Sequence, residues 1–284
     1  MGVLKLTGSE RHSWLQGMVT NDVEKLKPGE GCYAAHLNAQ GKVVAQMNVL
    51  AAEGAMWLLV EQTAVSKLAA AFDKLIIMED VQVQDVSSEY AVLALVGPQA
   101  SAALHAVDFP SVRVDLGYNL IVPKGAAGRA LEALAAAGAA PADPEIWNIL
   151  RTESGLPLYG VDVDETTTMP ELGQRGISYD KGCYIGQEVV ARVKYIGHVN
   201  RRFVGFVCEG GDAPEVRSTV QVQGKDVGYI TTGVFSPGLG KPIALGFVNR
   251  VAGEPGTAVV LAGKTATVAA HVAALPMVPI PSGD

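Results

Sequence analysis

The sequence predicts an α+β module over residues 1–199, followed by a small all-β barrel domain over residues 200–284. Helix-type and strand-type apolar periodicities alternate up to about residue 200. After Arg202 only short strands separated by Gly- or Pro-containing turns follow, without a helical pattern. A chain of 284 residues that is 49% hydrophobic is long enough to bury two cores. These observations together predict two domains.

The first elements follow from apolar spacing and turn residues. Ser9 is expected to cap a short helix, because Trp14, Leu15 and Met18 follow at helical spacing. The turn NAQG is expected to join two strands in a hairpin. The predicted strands of this region are 31–37, 42–50 and 55–61, and the helix after them is 63–76.

The following segments are read in the same way, as strands over 81–86 and 90–96, a further apolar segment over 112–123 and an Ala-rich helix ending near Gly138. Asp143 as N-cap, with Pro144 at the first helical position, starts another helix. Residues 156–171 contain too many turn formers for regular structure and predict a long ordered loop, a type of segment that often lines binding sites.

Composition and charge exclude several classes of protein. The net charge of −7 argues against nucleic-acid binding over the whole surface. No apolar run approaches the length of a membrane span, so we expect no membrane partner. The three cysteines are far apart and form no CxxC pair, which predicts neither a disulfide framework nor a cysteine zinc site. We therefore expect a reduced, cytoplasmic protein.

One cysteine lies in the motif KGCYIGQE, which begins at Lys181. Helix-forming residues follow Gly186, so Cys183 is expected within a turn of a helix N-terminus, where the helix dipole stabilises a thiolate. Lys181 would add to that effect. On local spacing alone, a small buried hydrophobic side chain is the commoner role for such a cysteine, and this alternative stays open.

Residues 181–202 carry five Lys or Arg side chains against one Glu. A basic segment on an acidic protein indicates an anionic ligand such as a carboxylate tail, a phosphate or RNA. Capping of a helix C-terminus by Arg192 and Lys194, with Glu188 at the N-terminal amides, explains the same pattern equally well. The sequence contains no GxSxG, HExxH, P-loop or GxGxxG motif, and its five histidines are isolated.

The motif and its basic continuation resemble the signature of the YgfZ family, folate-binding proteins related to the T-protein (aminomethyltransferase) of the glycine cleavage system. WLQGMVTNDVEKLKPGEGCYAAHLNAQGKV is similar to the N-terminal block of that family, and RTESGLPLYGVDVDETTTMPE to its central block. GYITTGVFSPGLGKPIALGFV resembles its C-terminal barrel. The resemblance covers nearly the whole chain in the same order, and it implies a T-protein-like folate-binding module followed by the barrel.

Two departures from the T-protein pattern concern the pterin pocket. T-proteins carry an acidic residue after the hairpin glycine, where this chain has Ala45 and Gln46, and a Glu in a G-(Phe/Tyr)-E strand, where it has Asn119. An amide binds a 2-amino-pyrimidinone more weakly than a carboxylate does. We therefore leave open whether the chain is an enzyme and do not expect a working aminomethyltransferase.

The resemblance implies tetrahydrofolate, or a one-carbon derivative of it, as the cofactor. It also implies an accessory role in the assembly or repair of iron–sulfur proteins, with client or assembly proteins as partners and an indirect effect on tRNA modification. Lys181 and Cys183 inherit the status of functional pair. The candidates for the folate site are Tyr118, Asn119, Tyr184, Gln187, Glu188, Arg192 and Arg202; no metal ligands are predicted.

Two other functions remain as alternatives. The first is a folate-dependent one-carbon transferase of the aminomethyltransferase type that uses a different base. The second is an RNA- or protein-binding scaffold in which folate has no role, with Arg201 and Arg202 as contact residues.

Overall fold

We describe residues 1–279 in a computed structural model of the chain, which divides into two compact units. Of the described residues, unit one contains 1–141 and 174–191, and unit two contains 142–173 and 192–279. The segment 142–173 thus clusters with the barrel, although it precedes the boundary near residue 200 that the sequence suggests. That boundary stays a prediction.

Unit one is built on a five-stranded antiparallel sheet with the strand order β2-β3-β4-β1-β5. The apolar alternation of these segments explains the sheet, because it buries one or both faces of each strand. The strands are β1 (Gly2–Thr7), β2 (Gly31–Leu37), β3 (Val43–Ala52), β4 (Ala55–Val60) and β5 (Gln82–Asp85).

A second, three-stranded sheet faces the first in unit one, with the order β6-β8-β7. Its strands are β6 (Tyr90–Val96), β7 (Ser111–Val114) and β8 (Gly117–Pro123). Leu50, Trp57 and Leu59 of the first sheet form one buried cluster with Val112 and Ile121 of the second. The interface between the two sheets is therefore an apolar core.

Helices cover the outer faces of both sheets. α1 (Arg11–Met18) and α2 (Gln62–Asp73) belong to the five-stranded sheet, where the rings of Trp14 and His36 meet Phe72 edge-on at 5.1 and 5.0 Å. α3 (Ala100–Leu104) and α4 (Ala127–Ala136) pack on the three-stranded sheet. α6 (Gln187–Tyr195) begins in the segment 174–191 of unit one, and its last residues are assigned to unit two.

Unit two contains a closed six-stranded barrel with the order β10-β11-β12-β9-β14-β13, which confirms the predicted C-terminal barrel. α5 (Pro144–Glu153) accompanies it and begins after Asp143, as predicted, although the Asp143 side chain makes no cap hydrogen bond. The strands are β9 (Arg201–Cys208), β10 (Thr219–Val222), β11 (Lys225–Ser236), β12 (Lys241–Asn249), β13 (Ala258–Ala262) and β14 (Thr267–Ala273).

One local prediction in unit one is wrong. Ser9 does not cap α1; its amide and hydroxyl both donate to the Asp80 carboxylate, at 2.8 and 2.7 Å. The segment 112–123 contains most of two strands, because Asp115 and Leu116 form a hairpin turn between β7 and β8.

Candidate functional site

The motif that begins at Lys181 is hydrogen-bonded to the C-terminal end of α1. The last carbonyls of a helix have no partner within the helix and need one elsewhere. Two of these carbonyls are satisfied by the motif: Gln16 O accepts from the Lys181 ammonium at 2.7 Å, and Gly17 O accepts from the Ile185 amide at 3.2 Å. The next carbonyl, Met18 O, lies 2.7 Å from Nδ1 of His36. The motif is thus a cap for α1.

The ammonium of Lys181 is buried against backbone oxygens. It donates to the carbonyls of Gln16, Val19 and Asn21, each at 2.7 Å, which accounts for all three of its N–H groups. Burial lowers the pKa of Lys181 to about 8, against the opposing effect of the Asp22 carboxylate. At neutral pH this side chain is therefore a buried cation held by three neutral acceptors.

Cys183 and Lys181 differ in exposure and in contacts. Cys183 is exposed, whereas Lys181 and Tyr184 on either side of it are buried. α6 begins only at Gln187, so Cys183 precedes the first helical turn rather than lying in it. Because the carbonyls take every N–H of Lys181, none is left to hydrogen-bond a Cys183 thiolate. The structure thus keeps the two residues in one segment but gives them different surroundings.

A second cysteine, which the sequence analysis did not select, lies in the electrostatic environment of Lys181. Cys32 on β2 is partly buried, and burial raises the pKa of its thiol to about 11. The positive charge of Lys181 opposes that increase, and the Asp22 carboxylate adds to it. No local motif marks Cys32, since its neighbours in space come from other parts of the chain.

The inner face of the five-stranded sheet carries polar side chains beside its apolar cluster. Tyr33 and Gln46 lie on this face, because Tyr33 pairs with Asn48, Ala35 pairs with Gln46, and the face continues to Leu50 in the core. Gln46 is 7% exposed. Within residues 1–279, the buried side-chain atoms that lack a hydrogen-bond partner are Arg11 Nε, Tyr33 Oη and Gln46 Nε2.

Arg175 covers the ring of Tyr33. Its guanidinium carbon lies 3.7 Å from the ring centroid, and the guanidinium is ion-paired with Asp115. Burial raises the pKa of the Tyr33 hydroxyl to about 12, and the charge of Arg175 offsets part of that increase. Gly176 lies so close to the ring that a Cβ there would overlap it. No local motif in the sequence marks Tyr33 or Arg175, because the two residues are far apart in the chain.

The two predicted pterin-pocket residues on β8 point to opposite faces. Tyr118 packs with the α3 and α4 cluster. Asn119 is 6% exposed and, by strand alternation, shares the face of Ile121 that looks toward the five-stranded sheet. Asn119 thus faces the surface that carries Gln46, and Tyr118 does not.

The remaining candidates are distributed along α6 and the barrel. Tyr184 is buried, with its ring centroid 5.2 Å from the Lys181 ammonium, and its amide donates to Gln187 Oε1 at 3.4 Å. Glu188 and Arg192 are exposed on α6 and engaged in contacts of their own. Arg202, in unit two, is ion-paired with Glu254 at 2.8 Å.

The basic segment of residues 181–202 carries less uncompensated positive charge than its sequence indicates. Besides the pair between Arg202 and Glu254, the Arg201 guanidinium lies 3.0 Å from the Glu171 carboxylate. Carboxylates therefore compensate two of the five cations of residues 181–202. This reduces the electrostatic case for a nucleic-acid surface.

Two general features concern metals and membranes. Among residues 1–279, no three His, Cys, Asp or Glu side chains come together as ligands for a metal ion. No α-helix of this described part combines the length and the apolar character needed to cross a bilayer.

Sequence comparisons identify the two ends of the chain. Residues 1–112 match the GCVT N-terminal domain, and residues 201–279 match the glycine cleavage T-protein C-terminal barrel domain. An aminomethyltransferase of Listeria monocytogenes serotype 4a is 30% identical over 286 residues, covering 90% of this chain and 78% of the relative. One from Nostoc is 28% identical over 285 residues, covering 87% of this chain and 74% of the relative.

The fold agrees with these matches. The crystal structure of glycine cleavage system aminomethyltransferase T from Bartonella henselae superimposes with a TM-score of 0.83 at 22% sequence identity. The superposition covers 98% of this chain and 84% of the Bartonella chain. The predicted T-protein-like fold is thereby confirmed.

The names of the relatives bear on the functional alternatives. Each relative described above is an aminomethyltransferase, which favours the one-carbon transferase alternative over the iron–sulfur role and leaves the YgfZ subfamily a prediction. The chain therefore belongs to the aminomethyltransferase-like GCVT family, with the N-terminal domain and the C-terminal barrel of that family.

Proposed function

We propose that this chain binds tetrahydrofolate, or a one-carbon derivative of it, at the polar part of the inner sheet face in unit one. The family supports folate as the ligand class, since its members are aminomethyltransferases. Bound tetrahydrofolate supplies a carrier for one-carbon units. The residues of the chain supply the surface that orients it.

The observation that carries this proposal is the pair of unpartnered polar atoms, Gln46 Nε2 and Tyr33 Oη. A buried donor without an acceptor costs about 1–3 kcal/mol, so native proteins rarely keep one without a use for it. The pterin ring is flat and carries a carbonyl and ring nitrogens as acceptors beside N–H donors. Gln46 Nε2 would donate to such an acceptor, and the Tyr33 hydroxyl would donate or accept.

The electrostatic character of this surface limits the chemistry. Gln46 and Asn119 are uncharged where the T-protein pattern has carboxylates, and Ala45 lies on the opposite face of β3. An amide cannot take up a proton as a general base does, and it hydrogen-bonds a protonated partner without charge assistance. We infer that this surface binds and orients the ligand, and that any one-carbon transfer uses a base other than Gln46 and Asn119.

A second candidate function, the accessory role toward iron–sulfur proteins, is supported by the exposure of Cys183. One exposed thiolate is a suitable ligand for iron, whereas a complete cluster usually takes four protein ligands. A cluster held at Cys183 would therefore need further ligands from a client protein.

Calorimetric titration of the protein with tetrahydrofolate and 5-formyltetrahydrofolate tests the proposal. Gln46→Met keeps the length of the side chain but removes its donor, and we expect affinity to fall about tenfold. Gln84→Met is the matched control, since Gln84 is an exposed glutamine of the same sheet and should leave affinity unchanged. Absence of folate binding in the parent protein, or equal affinity in the Gln46 variant, would overturn the proposal.

Three assays distinguish the transferase, the scaffold and the accessory role. Release of a one-carbon unit from a methylated amine to tetrahydrofolate supports the transferase. RNA binding that weakens steeply with salt and needs Arg201 supports the scaffold instead. Restoration of an iron–sulfur-deficient strain supports the accessory role.

A further inference from the structure

We propose that Lys181 is a positioning residue, whose ammonium fastens an arch of five residues, Lys181 to Ile185, onto the end of α1 and so fixes where Cys183 is presented. This role differs from activation of the thiol. It does not depend on whether folate binds, since it rests only on contacts within the chain.

The arch is anchored at both of its ends on successive carbonyls of the same helix. At one end, the Lys181 side chain donates to Gln16 O; at the other, the Ile185 amide donates to Gly17 O. The side chains along the arch alternate accordingly, with Lys181 and Tyr184 buried and Cys183 exposed between them. Two fixed ends and a short span leave the thiol little choice of position.

The ammonium also fastens the chain that follows α1. Its other two hydrogen bonds go to Val19 O and Asn21 O. Asn21 Nδ2 in turn donates to the carbonyl of Tyr33 at 2.8 Å, which connects this loop to β2. A single cation therefore fixes the helix end, the loop and the arch together.

The charge of the Lys181 ammonium acts on groups in its immediate surroundings. Asp22, Glu24 and the Cys32 thiol are the titratable groups that act on it, and the Tyr184 ring lies beside it. A cation near the C-terminal end of a helix is favoured by the helix dipole. Burying an ammonium is nevertheless costly, and a neutral side chain would not satisfy the three carbonyls. The three hydrogen bonds to carbonyls offset that cost and fix the position of the ammonium.

Hydrogen exchange followed by mass spectrometry tests this role in three variants. Lys181→Met keeps most of the side-chain length without the charge, and Lys181→Ala leaves space for an added cation. Lys74→Met is the control, because Lys74 is exposed at the end of α2. Peptides that cover the arch report the Ile185 amide, and peptides from β3 and β4 report global opening.

Lys181→Met and Lys181→Ala should each speed exchange in the arch by about tenfold while β3 and β4 keep the parental rate. Adding n-propylammonium should restore slow exchange in Lys181→Ala, whereas n-propanol, which has the same length but no charge, should not. The control variant should match the parent throughout.

Three results would overturn the proposal. The first is unchanged exchange in the arch of both variants. The second is equal acceleration in the arch and in β3 and β4, which is the signature of general destabilisation. The third is restoration by n-propanol as effectively as by n-propylammonium, since a neutral alcohol would then replace the cation.

Discussion

The guanidinium of Arg175 lies 3.7 Å from the centre of the Tyr33 ring and closes the polar end of the inner sheet face. The same guanidinium is ion-paired with Asp115, a partly exposed residue of the turn between β7 and β8. Tyr33 is thereby kept from water although its hydroxyl has no hydrogen-bond partner. Arg175 is therefore a cover over one of the two unpartnered atoms that carry the functional proposal.

Arg175→Ala should uncover Tyr33 and bring the pKa of its hydroxyl down from about 12 toward the ordinary value of 10, because burial is the largest cause of the increase. Ultraviolet titration of tyrosinate measures this change, and Tyr33→Phe identifies the signal. A titration at unchanged or higher pH in Arg175→Ala would contradict the prediction, because the charge of Arg175 would then lower the pKa by at least as much as its cover raises it.

His36 should make the protein sensitive to mild acid. Burial lowers the pKa of His36 below its ordinary value of 6.5, and Nδ1 lies 2.7 Å from Met18 O. Between the two pKa values the unfolded chain binds more protons, so the free energy of unfolding should decrease as pH falls below about 6.5. Urea denaturation at a series of pH values measures this decrease.

The comparison variants for this prediction are His36→Gln and His271→Gln. The first should flatten the pH dependence, and the second, at an exposed position of the barrel, should retain it. If His36→Gln keeps the full decrease, another group is responsible for it.

The buried ion pair of unit two should contribute much more to stability than an exposed pair. Arg151 and Asp162 are 2.7 Å apart, with side chains 3% and 0% exposed, and Thr232 completes the network. Arg151→Met leaves the Asp162 carboxylate buried without its cation, and should cost about 3–5 kcal/mol. Arg202→Met breaks the exposed pair with Glu254 and should cost less than about 1 kcal/mol.

Chemical denaturation of the two variants tests that difference. The tryptophans lie in both units, so fluorescence does not report unit two alone. Hydrogen exchange of barrel peptides should therefore accompany the denaturation. Similar losses in both variants would contradict the account of the Arg151 network.

Cys183 should be modified first among the three cysteines by a thiol reagent, because it is exposed while Cys32 is partly buried and Cys208 is buried. Peptide mass spectrometry after brief alkylation measures each site separately. Modification of Cys208 before Cys183 in the folded protein would contradict the structure.

A functional role for Cys183 makes a further prediction. Cys183→Ala should retain folate binding and lose restoration of an iron–sulfur-deficient strain. Full restoration by this variant would exclude the accessory role for the thiol, whereas Cys32→Ala should behave like the parent protein.

The sequence predicted the elements whose patterns are local. Alternation and turn residues after Arg202 indicated the barrel, and Asp143 with Pro144 marked the start of α5. Ser9 was misread because its partner, Asp80, is 71 residues away and takes both of its donors. Local propensity cannot report such a competitor.

The same limit applies to the candidate site. The motif at Lys181 was recognisable, but the carbonyls that hold its ammonium are at least 160 residues earlier in the chain. Sequence spacing therefore predicted that Lys181 acts on Cys183, whereas the ammonium of Lys181 binds carbonyls at the end of α1 and in the loop that follows it. Gln46 was identifiable only as a departure from a family pattern, and its unpartnered donor became evident from its surroundings in space.

Nuclear magnetic resonance of the side-chain amides tests the central claim most directly. In a titration with tetrahydrofolate, the Gln46 Nε2 protons should shift as they find an acceptor, while those of the exposed Gln84 stay in place. Assignment comes from the Gln46→Met and Gln84→Met variants. Saturation with ligand that leaves the Gln46 resonances unmoved would contradict the claim that folate binds at this face.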